Sequence, residues 1–107
     1  MMHDVKKATV VVRNPTHFAV ALKYESGAHH APKVVAKGRN LIALRIIDIA
    51  QQNGVPVRSD PPLARQLYRT VKLGRHVPEE LFQAVAKVIA WVYRNGKGAR
   101  VLENTAS

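Results

Sequence analysis

Thr9-Val10-Val11-Val12-Arg13-Asn14-Pro15-Thr16-His17-Phe18-Ala19-Val20-Ala21-Leu22-Lys23-Tyr24 is the stretch on which the fold turns. The β-branched run Val10 to Val12 suits a strand buried on both faces. Asn14-Pro15-Thr16-His17 breaks that run with turn-forming residues. From Phe18 the sequence alternates, putting Phe18, Val20, Leu22 and Tyr24 on one face and the small or polar Ala19, Ala21 and Lys23 on the other. Two strands joined by this short segment predict an antiparallel pair closed by a tight turn.

Outward from the pair, Glu25 to Pro32 reads as a loop, and Lys33-Val34-Val35-Ala36 as a third strand ended by Gly38. From about Asn40 to Asn53 a helical stripe runs through Ile42, Ile46 and Ile49, with Leu44 and Ile47 one position round, and Gly54 stands where a left-handed cap is wanted. Val55-Pro56-Val57-Arg58 predicts a fourth strand, Pro56 marking a sheet edge or a strand start. Asp60 followed by Pro61 signals a helix N-terminus, with the helix running from Leu63 to Leu73 and stopped by Gly74. Pro78-Glu79-Glu80 opens the last helix, which buries Leu81, Val85, Val88, Ile89 and Val92. The order β-β-β-α-β-α-α predicts an α/β domain, a small four-stranded mixed β-sheet surrounded by α-helices. Strand three, the first long helix and strand four form a right-handed parallel crossover in this reading. Residues 9–96 make the single domain and 97–107 a flexible tail.

The chain has 107 residues, enough for one core. Its 0 Cys excludes a disulfide framework, a thiolate zinc site and a cysteine nucleophile. No apolar run approaches the roughly 20 residues needed to span a bilayer. The balance of 17 Lys+Arg against 7 Asp+Glu gives a net charge of +10, which favours acidic partners: nucleic acid, anionic lipid or an acidic protein surface. A basic nucleic-acid-binding module is therefore the competing reading. Against it, Phe18, Tyr24, Phe82 and Trp91 fall on core-facing positions and are not interleaved with the cations as stacking platforms. Lys33, Lys37, Arg39, Arg45, Arg65, Arg69, Lys72 and Arg75 read as solvated faces of strands and helices, and Tyr93 as core or rim.

Conventional catalytic motifs are missing. None of His3, His17, His29, His30 and His76 sits in a helical i, i+4 pair with an acidic partner, His29-His30 reads as a solvated loop pair, and no metal or cofactor is expected. A hydrolase acting on other chains through Thr16 and His17 would need an acidic partner, and Asp60 is remote in sequence. Asn14-Pro15 does carry chemistry of its own. Pro15 has no N–H, so the usual attack of the following backbone nitrogen on an asparagine amide is closed. The remaining route is attack of the Asn14 side-chain nitrogen on its own main-chain carbonyl, closing a succinimide and expelling the nitrogen of Pro15. A tight turn supplies the alignment that a poor amide nucleophile needs. Thr16 shapes that turn, and His17 either assists the proton transfer or holds the turn by hydrogen bonds. For the dipeptide alone, the ordinary reading is a simple turn start.

In its setting, Asn14-Pro15-Thr16-His17 resembles the self-cleaving motif of the switch proteins (FlhB/SctU type) in the export apparatus of bacterial flagella and type III secretion systems. The resemblance continues in order through Ala31-Pro32-Lys33-Val34-Val35-Ala36-Lys37-Gly38, Gly54-Val55-Pro56-Val57, Pro61-Pro62-Leu63-Ala64-Arg65 with Leu67-Tyr68, Pro78-Glu79-Glu80-Leu81 and Ala84-Val85-Ala86. It covers Met1 to Arg94, and Pro61-Pro62 with strand two leans toward the flagellar branch. It implies cleavage between Asn14 and Pro15 with the pieces staying associated, a single-turnover event rather than a multiple-turnover enzyme. It also implies a substrate-specificity switch at the cytoplasmic face of the bacterial inner membrane, as the soluble domain of an integral membrane protein. Residues 1–8 then resemble the end of a linker from an absent membrane domain. The partners implied are that membrane domain, other export-gate proteins, a length-ruler protein, and exported substrates or their chaperones; nucleic acid is not among them.

Overall fold

Val10, Val11 and Val12 are all fully buried because their strand lies in the interior of the sheet with helices on both faces. The computed structural model describes residues 1–27 and 30–95. Strand β1 (Val10–Asn14) pairs antiparallel with β2 (Phe18–Lys23), which pairs antiparallel with β3 (Lys33–Arg39). A short strand β4 (Val57–Ser59) adds in parallel to the other side of β1, giving the order β3-β2-β1-β4. The helices are α1 (Met2–Val5), α2 (Leu41–Gln52), α3 (Pro61–Thr70) and α4 (Phe82–Asn95), the last entered through a 3-10 turn at Glu79–Leu81. This is the mixed four-stranded α/β arrangement expected.

Alternation along β1 and β2 divides the core into two layers. Val10, Val12, Val20 and Leu22 pack with Val34 against Leu63, Leu67, Val85, Val88 and Val92, and Phe18 and Tyr24 lie partly buried on the same side. On the other face, Val11, Ala19, Ala21 and Ala36 meet Ala43, Ile46, Ile47 and Ala50 of α2, with Val5 and Ala8 of the N-terminal segment. The small residues of that face let α2 approach closely. Residues 1–8 therefore contribute side chains to the core.

Several expectations need correction. The α2 stripe is shifted: Ala43, Ile46, Ile47 and Ala50 face the sheet, while Leu41, Ile42 and Leu44 are 81%, 49% and 58% exposed. The alanine-lined face draws the alanines of the helix inward, and bulk alone misled the periodicity. Strand β3 runs on to Arg39 through Gly38 rather than ending there. A Cβ on Gly38 would collide with the Ile42 side chain, so the residue marks a close approach and not a stop. The crossover from β3 through α2 to β4 is parallel as expected, and it passes over β2 and β1 to reach the far edge of the sheet. Helix α3 ends at Thr70, with Val71 already extended, and Leu73 is exposed. Phe82 is 46% exposed and not core-facing, because the chain enters α4 through the 3-10 turn and turns Leu81 inward instead. The tail assigned to 97–107 and His29 lie outside the described residues.

The helix signals at Asp60 and Gly54 act as the sequence predicts. Asp60 Oδ1 accepts from Leu63 N at 3.3 Å with Pro61 in the first turn, and Gly54 takes φ 70° after α2. Lys37 departs from its solvated reading. Its Nζ donates to the carbonyls of Tyr68 and Val71 at 2.9 and 2.8 Å and lies 5.3 Å from the Tyr68 ring centroid, closing the C-terminal end of α3. Lys37→Met keeps the apolar stem but strips two carbonyls of their donor. A loss of about 1 to 3 kcal/mol in denaturant unfolding is expected, and an unchanged midpoint would mean that water replaces the ammonium without cost.

Candidate functional site

The turn joining β1 to β2 brings all four sequence-predicted residues together. The register ends at the pair Asn14 and Phe18, leaving Pro15, Thr16 and His17 as an exposed loop tip. His17 N donates to Asn14 O at 3.1 Å, closing a four-residue turn in which Pro15 presets the backbone. Asn14 is only 7% exposed and is the one polar residue in the core among those described.

Its amide is held locally. Thr16 N donates to Asn14 Oδ1 at 3.3 Å, and Thr16 Oγ1 donates to the same oxygen at 3.3 Å. Because a backbone N–H can only donate, the first bond fixes which end of the amide is oxygen. Nδ2, the nucleophile of a cyclisation, is thereby the end not engaged by Thr16. Thr16 Oγ1 also lies 2.6 Å from His17 Nδ1. The ring thus supports the turn through Thr16.

The chemical consequence lies at the Asn14 carbonyl. The His17 N–H already bonds the oxygen that would gain negative charge if Nδ2 attacked the carbonyl carbon, an oxyanion donor in place before the reaction. Beyond the turn, Phe18 stacks on Tyr68 with ring centroids 4.6 Å apart, fixing the start of β2 against α3. Asn40, at the start of α2, donates its N–H to His17 O at 3.0 Å. A groove of about 300 Å³ separates the turn from Leu41, Ala43, Leu44 and Ile47. The Tyr68 and Asn40 supports were not readable from the sequence, because neither stands near the motif in the chain.

Elsewhere, His76 Nδ1 donates to Ala31 O at 2.7 Å and its ring stacks with that of His30 at 5.2 Å. Among the described residues no three His, Asp or Glu side chains gather as metal ligands would. Arg58 lies 4.8 Å from the Trp91 ring centroid, so this half-buried aromatic already has a cation within the protein.

Comparison with known proteins agrees with the resemblance of the motifs. Over 94 residues, 88% of this chain, the sequence is 54% identical to the flagellar biosynthetic protein FlhB of Escherichia coli (strain K12), and covers 25% of that protein. Its identity to the FlhB of Helicobacter pylori (strain ATCC 700392 / 26695) is 52% over 92 residues, 86% of this chain and 25% of that protein. The chain thus spans about a quarter of the length of these relatives. The crystal structure of the cytoplasmic domain of FlhB from Shewanella putrefaciens superposes with a TM-score of 0.82 at 44% identity, covering 87% of this chain and 71% of that one. An EscU C-terminal domain carrying an Asn-to-Ala substitution gives a TM-score of 0.79 at 39% identity, covering 83% of this chain and 89% of that one. Residues 1–92 match the model of the FlhB HrpN YscU SpaS family, and the chain belongs to that family of flagellar and type III export proteins.

Proposed function

We propose that this domain is a single-turnover, self-cleaving switch of substrate specificity in a bacterial protein-export apparatus. The observation that carries the reading is Asn14: a buried asparagine at the end of a central strand, its amide oriented by Thr16 and its carbonyl bonded by the His17 N–H. In the reaction Nδ2 attacks the Asn14 carbonyl carbon and forms a C–N bond. The oxygen takes up the charge against the His17 N–H, and collapse breaks the bond to Pro15. The Pro15 nitrogen leaves as an amine, taking up one proton while Nδ2 gives one up. Water then opens the succinimide and leaves a carboxyl group at the end of β1.

The domain would work at the cytoplasmic face of the inner membrane, attached to a membrane domain and meeting other export-gate proteins, a length-ruler protein and exported substrates or their chaperones. Cutting the turn relieves its constraint and adds a positive and a negative chain end at one spot, while β1 stays within the sheet. The change is therefore local to the turn and the groove beside it. An export assay in cells tests the role: an uncleavable chain should fail to change from early to late substrates, and normal switching by such a chain would refute it.

His17→Ala separates the main-chain and side-chain roles of that residue. The N–H to Asn14 O survives, whereas the ring contact to Thr16 Oγ1 is lost. Cleavage slowed by about 10²-fold but not abolished is expected in a time course on denaturing gels. A rate equal to wild type would leave His17 with its main-chain role alone.

A further inference from the structure

The corner between β3 and α2 departs from ordinary backbone geometry. Asn40 has φ 55° and ψ −121°, and among the described residues it is the one position other than glycine with positive φ. Asparagine before a helix is usually explained by a side chain that accepts a first-turn N–H, but the Asn40 side chain makes no such bond. What asparagine brings here is tolerance of a conformation that most L-residues avoid.

The neighbours impose that conformation. Gly38 lies directly against Ile42, so the chain must reverse from strand to helix within a very short span. The Asn40 carbonyl accepts from Leu44 N at 3.1 Å and so starts α2. With its carbonyl committed to the helix, Asn40 points its N–H the other way, onto His17 O at 3.0 Å. His17 is consequently held at both ends: its N–H on Asn14 O, its C=O on Asn40 N. Strained residues of this kind persist where the surrounding structure over-determines them, and they gather at functional sites.

We propose that Asn40 is a positioning residue for cleavage: its strained backbone clamps the His17 carbonyl and thereby keeps the Asn14–His17 turn in attack geometry. This rests on the cleavage reading above. The clamp touches none of the reacting atoms. It acts by preventing His17 from rotating out of the turn and taking the oxyanion donor with it.

The test compares cleavage rate with thermal stability in the purified protein for Asn40→Gly, Asn40→Ala, Asn40→Val and a control, Gly54→Val. Gly54 has φ 70° with nothing within 4 Å of an added Cβ, and it lies at the other end of α2. Its valine variant imposes the same kind of backbone penalty away from the turn. Asn40→Gly accepts positive φ and keeps the N–H, so it should cut within about threefold of wild type. Asn40→Val should cut at least about tenfold more slowly, the scale on which small misplacements of reacting groups act. Asn40→Ala should fall between them and carries the comparison if the valine variant does not fold. Gly54→Val should melt lower yet cut at the wild-type rate. Wild-type cutting by both Asn40→Val and Asn40→Ala would overturn the clamp, as would Gly54→Val slowed as much as an Asn40 variant of equal melting temperature. A wild type that never cuts would overturn the cleavage reading and the clamp with it, a result distinct from a cutting wild type with indifferent Asn40 variants.

Discussion

An Asn14→Ala protein is expected to remain one chain indefinitely under conditions in which the wild type separates into two pieces on denaturation. Alanine removes Nδ2, the only nucleophile the proposed route possesses, so the effect is loss of cleavage and not a reduced rate. The fold should survive. Asn14 makes its side-chain bonds within the turn, to Thr16 N and Oγ1, and the β1–β2 ladder does not depend on them. Removing this local side-chain bond should cost about 0.5 to 2 kcal/mol, the range found when a comparable cap is deleted. Circular dichroism beside intact mass checks both halves of the expectation. Cutting of the alanine variant at the wild-type rate would assign the reaction to water or to another side chain and remove Asn14 from it.

The second large effect is one of persistence: the two pieces are expected to stay together after the cut. The short piece contributes β1, which is paired with β2 on one side and β4 on the other. It also buries Val5 and Ala8 together with Val10, Val11 and Val12. Departure would expose those valines to water at roughly 1.5 to 3 kcal/mol for each fully buried one, in addition to the broken ladders. Native mass spectrometry should therefore record a complex with the mass of the intact protein plus one water, whereas denaturing conditions should separate it. The cut form should also melt below Asn14→Ala, because the uncut chain keeps β1 tethered and gives up less entropy on folding. A lone piece beginning at Pro15 in native solution would require the switch to act by losing a segment rather than by a local release.

The center of this fold was legible in the sequence because the physics there is short-range. Val10 to Val12 announce a doubly buried strand, the alternation from Phe18 to Tyr24 assigns each side chain to its face, and both assignments match the two core layers. The four residues of the turn followed from the same reading, and the structure places them together. What the sequence hid was long-range. The shift of the α2 stripe came from alanines on β2 and β3, which reward a close helix with small residues, whereas periodicity counts only bulk. Lys37 looked solvated because its acceptors, the carbonyls of Tyr68 and Val71, are more than thirty residues away. Asn40 likewise read as an ordinary helix start. Its left-handed backbone arises from the approach of Gly38 to Ile42 and from the bond to His17, and no local motif encodes either.

The central claim is that this chain cuts itself between Asn14 and Pro15, and intact mass under denaturing conditions tests it most directly. Wild-type protein held at neutral pH, free of added protease, should give two species whose sequences end at Asn14 and begin at Pro15, in equal amounts and increasing together with time. A single undivided mass after prolonged incubation, or a boundary at any other bond, would contradict it.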